Sequence, residues 1–78
     1  MTLAEYVAKL QIEARQRDPL DPGPTDADIA RILGITRSHV NAIRKGIRRP
    51  SYSLMLRIRE WSGGAVDLES WELAGAVA

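Results

Sequence analysis

The sequence predicts an all-α domain, a compact bundle of about five short helices. Three observations predict it. Apolar residues recur at three- and four-residue spacing in successive segments. A hydroxyl residue suited to N-capping opens each of four segments, at Thr2, Thr25, Thr36 and Ser51. Glycine or proline closes each, at DPLDPGP, Gly34, Gly46 and Gly63–Gly64. Seventy-eight residues make one small domain, residues 1–78, with one modest core.

The first helix is expected from Thr2 to about Arg17. Thr2 and Glu5 stand in capping-box register. Leu3, Val7, Leu10 and Ala14 form one apolar stripe, widened by Tyr6, and its role reads as structural. Three prolines and a glycine fill residues 18–24, so no helix survives there. That stretch reads as a surface loop rather than a contact arm, since its two acids would face phosphate poorly.

The next two helices are expected at about 26–33 and 37–45, as a pair spanning residues 25–46. Thr25 caps the first, with Asp28 as the capping-box acid. Ile29, Ala30 and Leu33 recur at helical spacing, and Gly34 stops the helix because a C-terminal cap needs positive φ. Ile35 follows directly as an apolar residue. Thr36 caps the second of the pair, whose apolar stripe is Val40, Ile43 and Ile47. Gly46 ends it. Pro50 leads into a fourth helix at about 52–61, with Leu54, Met55, Ile58 and Trp61 as its stripe. Gly63 and Gly64 end that one, and Asp67 caps a final short turn carrying Leu68 and Trp71. The closing AGAVA is expected to fray.

The net charge of +1 carries no argument, but its distribution does. Residues 1–30 have a net charge of −3 and residues 60–78 a net charge of −4. Residues 31–59 hold eight cations and no acid. A charge run is usually a solvated face. Here it coincides with the third predicted helix and its flanks, the footprint expected for phosphate binding.

The stretch TDADIARILGITRSHVNAIRKG resembles the helix-turn-helix of the phage lambda repressor and Cro family, the XRE-type regulators. That family has a small residue where Ala30 stands and glycine where Gly34 stands. It has apolar residues where Ile29, Leu33, Ile35, Val40 and Ile43 stand. The continuation GIRRPSYSLMLRIRE resembles the family's glycine, basic residues and proline before the next helix. The resemblance covers about residues 24–62 and implies a lambda-repressor-like fold with duplex DNA as partner.

Helical-wheel arithmetic locates the faces of the third helix. Thr36, Val40, Ile43 and Ile47 cluster within roughly 60° of one another. Ser38, Asn41, Ala42 and Lys45 point roughly opposite, with Arg37 at the edge. The resemblance implies that these five residues enter the major groove. Their chemistry suits base edges: arginine is a bidentate donor to guanine, asparagine is bidentate to adenine, serine serves either, and alanine touches a thymine methyl. The resemblance places Thr36, Arg48, Arg49 and Ser51 against phosphate, and Arg44 is added to that set. His39 falls to one side, as an ordinary surface residue. Two positions depart from the family. It commonly has glutamine, bonding a phosphate, where Asp26 stands, and Asp26 would repel one. Its repressor-like members often carry glutamate within a buried ion pair where Arg44 stands, and arginine cannot play that acid's part.

Cysteine is absent, which excludes disulfides and thiolate metal sites. One histidine and no phosphate-binding glycine loop give no support to catalysis, a cofactor, a metal or a small-molecule ligand. No charged segment with an apolar run follows Met1, and no run approaches about 18 apolar residues, so no membrane association and a cytoplasmic location are expected. The function read from the sequence is a homodimeric repressor of a phage or mobile-element operon, acting at a palindromic operator. The alternatives are an antitoxin that represses its own operon, and a protein-interaction module that has lost DNA binding. The dimer surface should avoid the cation run, which points to Leu68, Trp71 and Leu73.

Overall fold

The computed structural model describes residues 1–75, with side chains described as far as Trp71. Five helices follow one another, and the described residues hold no strand: α1 (Leu3–Arg17), α2 (Asp26–Leu33), α3 (Arg37–Arg44), α4 (Tyr52–Trp61) and α5 (Leu68–Gly75).

The caps lie where the sequence puts them. In α1 the Glu5 N–H donates to Thr2 Oγ1 at 3.2 Å, and the Thr2 N–H donates back to Glu5 Oε1 at 3.0 Å. Thr25 and Asp28 repeat this box at the start of α2. Each box satisfies two backbone donors that a helix start would leave bare. Thr36 and Ser51 accept from the His39 and Leu54 N–H groups to open α3 and α4.

Gly34 closes α2 at φ 71°, a left-handed conformation that side chains with a Cβ resist. The Gly34 and Ile35 N–H groups both donate to the Ala30 carbonyl, so the chain reverses within two residues. Ala30, 5% exposed, belongs to the core, and α2 and α3 form the most extensive helix pair in the fold.

One expected core residue is displaced. The apolar stripe of α3 ends at Ile43, and Ile47 is 76% exposed. Helix α3 stops at Arg44. The Gly46 and Ile47 N–H groups then bond back to the Ile43 and Ala42 carbonyls, the pattern of a Schellman cap. Wheel arithmetic therefore no longer applies at Ile47.

The core takes one fully buried side chain from each of α1 to α4 and one from the α4–α5 connection: Leu3, Ile29, Val40, Ile58 and Val66. Tyr6 of α1 meets Trp61 of α4 edge to face, with ring centroids 5.2 Å apart. The 18–24 loop is held locally. Asp18 and Asp21 accept from the Leu20 and Gly23 N–H groups, and Gln11 Nε2 donates to the Pro24 carbonyl.

The C-terminal segment corrects a second expectation. Trp71 is 7% exposed and belongs to the core, with Leu68 packed against it. Gly63 and Gly64 end α4 with bonds to the Glu60 and Arg59 carbonyls, and α5 returns onto α4. Trp71, expected on a dimer surface, is therefore buried within its own domain. The Leu73 side chain lies outside the described residues. Helix α5 is also longer than a short turn and runs into the expected fraying tail as far as Gly75. Among the described residues no helix is long and apolar enough to cross a membrane.

Candidate nucleic-acid interface

Helix α3 buries Val40 and Ile43, and the predicted base-reading residues occupy other positions of the helix and its C-cap, Lys45. Arg37, Ser38 and Lys45 are exposed, while Asn41 and Ala42 are half-buried. Arg37, Ser38 and Asn41 come together with Asp26 around a shallow concavity of about 400 Å³. Ala42 and Lys45 are not part of its lining. Of the predicted phosphate residues, Thr36, Arg48, Arg49 and Ser51 are exposed. Pro50 between them is buried, so it anchors the loop that carries the two arginines.

Arg44 departs from its expected place. Its Nε donates to Asp26 Oδ1 at 3.0 Å and its Nη2 to Asp26 Oδ2 at 3.0 Å. This is a fork-on-carboxylate pair joining the end of α3 to the start of α2. The two side chains are 30% and 19% exposed. This pairing sets the Arg44 guanidinium against an acid rather than leaving it unpaired, as its expected phosphate role would have it. The hydrogen bond from Arg44, joined by one from Asn41, holds the Asp26 carboxyl below its ordinary range against the opposing effect of burial. The same bond raises Arg44.

Asn41 is also engaged, since its Nδ2 donates to Asp26 Oδ2 at 3.2 Å. Asp26 and Arg44 are the two positions singled out in the sequence as departures from the pattern it resembles, but nothing there paired them.

Two further cations are placed by the fold. Arg31 pairs with Asp28 at 2.9 Å on an exposed surface. Arg57 Nη1 donates to the Leu33 carbonyl at 3.2 Å, a cation at the negative end of α2 that sequence reasoning did not single out. Arg37, Lys45, Arg48, Arg49 and Arg59 make no ion pair among the described residues, so their charge is available to a ligand. No three acidic or histidine side chains among the described residues gather in a metal-holding arrangement.

No protein-family model, no curated protein and no solved structure matches the chain.

Proposed function

We propose that this domain binds duplex DNA sequence-specifically through α3, as a lambda-repressor-like helix-turn-helix, and serves as a small homodimeric repressor of a phage or mobile-element operon. One observation carries the reading. Arg37, Ser38, Lys45, Arg48 and Arg49 stand exposed on α3 and in the loop after it, the four cations with no ion pair among the described residues, while α2 and α3 pack together across the Gly34 turn. Arg37 donates to guanine, Asn41 pairs with adenine, Ser38 and Lys45 donate to base edges, and Ala42 touches a thymine methyl. Arg48 and Arg49, with the Thr36 and Ser51 hydroxyls, hold phosphates and set the register. Arg44 leaves that set, because Asp26 takes its guanidinium.

One recognition helix reads only a few base pairs. Two copies on half-sites about one helical turn apart read enough to find a single operator. The dimer surface in this proposal lies away from Trp71, which the core retains.

Selection of bound sequences from random duplex DNA tests the reading. The expected product is an inverted repeat whose half-site centres lie about one turn apart. Arg37→Ala and Asn41→Ala are each expected to cost roughly 1–3 kcal/mol on that operator and to relax preference at particular base pairs. No enriched sequence, or one unchanged in both variants, refutes the assignment of α3.

A further inference from the structure

We propose that Asp26 is a positioning residue that sets what Asn41 reads, by holding its amide so that the free edge offers an acceptor beside a donor, the complement of adenine. This rests on the DNA-binding reading of α3 and adds a residue of α2 to it. The geometry runs through three side chains. Arg44 grips both Asp26 oxygens, each at 3.0 Å, and Asp26 Oδ2 accepts from Asn41 Nδ2 at 3.2 Å.

An ionised carboxylate only accepts hydrogen bonds. A reversed Asn41 amide would set its carbonyl oxygen against a carboxylate oxygen with no proton between them. The orientation with Nδ2 toward Asp26 is therefore the one the site permits. A solvated asparagine has no such restraint and presents either end of its amide.

Asn41 has two amide N–H groups, and Asp26 uses one. The second N–H and Oδ1 are left for a ligand, and Asn41 lines the concavity together with Asp26, Arg37 and Ser38. Adenine is read by an acceptor for its N6 amino group and a donor to its N7. The fixed edge carries that pair in one order. The network also has a cost in affinity, since Arg44 spends its charge on Asp26 rather than on a phosphate. The arrangement thus exchanges sequence-independent attraction for discrimination.

The test uses the full chain, with Asp26→Ala, Asp26→Asn and Asn41→Ala, in selection and in competition binding on duplex DNA. Asp26→Asn keeps the side-chain shape, so a result is obtained even where Asp26→Ala unfolds. The wild type is expected to prefer adenine at one base pair per half-site, and Asn41→Ala to abolish that preference. Both Asp26 variants are expected to lower it about tenfold. Their affinity for random duplex is expected to rise, with a salt slope steeper by about 1 as Arg44 becomes free for phosphate. A side chain that merely supported the fold would weaken specific and random binding together. That parallel loss overturns the inference. So does an unchanged adenine preference in both Asp26 variants while the wild type binds selectively. A wild type that does not bind duplex DNA overturns the reading of α3, and this inference with it.

Discussion

Gly23 and Gly34 both have positive φ, at 78° and 71°, yet a methyl group would meet different surroundings at each. A Cβ on Gly34 meets only Arg57 Nη1 at 3.8 Å. A Cβ on Gly23 lies 2.7 Å from Gln11 Cα, a backbone atom of α1 that cannot step aside. Gly34→Ala is expected to lose about 1–2 kcal/mol, the cost of a left-handed alanine. Gly23→Ala adds displacement of the loop and strain on the bond from Gln11 to Pro24, for a loss of about 2–4 kcal/mol. Urea denaturation of the two variants checks the order, and equal losses contradict the close approach. Gly34 was legible in the sequence because an apolar stripe stops there. Gly23 was legible only as part of a turn. Its contact with Gln11 follows no period, so no pattern announces it.

At the scale of elements, the starts and stops of α1 to α4 follow from local chemistry and were legible for that reason. A cap needs an oxygen and a partner N–H within one turn, and both are neighbours in sequence. The Asp26–Arg44 pair is eighteen residues apart and joins two helices, so it is a tertiary fact. In sequence the two residues stood out separately, and in the fold they bond to each other. The pair gives a pH prediction. Arg44 depresses the Asp26 carboxyl in the folded state, so the pair's contribution is complete above the ordinary value of 3.8. It is lost as pH falls below that value and through the lowered one. Asp26→Asn is therefore expected to be about 1–2 kcal/mol less stable than wild type at pH 7, with the gap closing as pH drops below about 4. Denaturation of both proteins along a pH series checks this, since acids shared by the two cancel in the difference. A gap that stays constant to pH 3 and below contradicts the ion pair.

For the whole molecule, the small core explains why Trp71 is inside. In a domain this size the returning α5 is needed to close the core, and Trp71 does so with its Nε1 unpartnered among the described residues. Composition could not separate this from a dimer surface, because both outcomes bury the same apolar residues. Trp71→Ala is expected to cost about 3–5 kcal/mol, a large part of the stability of such a domain. Trp71→Phe should cost much less, since losing an unpaired buried donor offsets lost ring area. Thermal melts check both, and a wild-type melt for Trp71→Ala contradicts the burial. Charge is divided as clearly as the core is shared. Arg44 and Arg31 are taken by acids, and the rest of the cation run, on α3, α4 and the loop between them, makes no ion pair among the described residues. In the proposed function this set meets DNA. The most direct measurement of that contact is fluorescence anisotropy of a labelled duplex across about 50–200 mM salt, for wild type and for Arg48→Ala with Arg49→Ala. The prediction is wild-type binding that weakens linearly on logarithmic axes, with the double variant weaker on every duplex and its slope shallower by about 2. Absence of binding, or the same slope in both proteins, would contradict it.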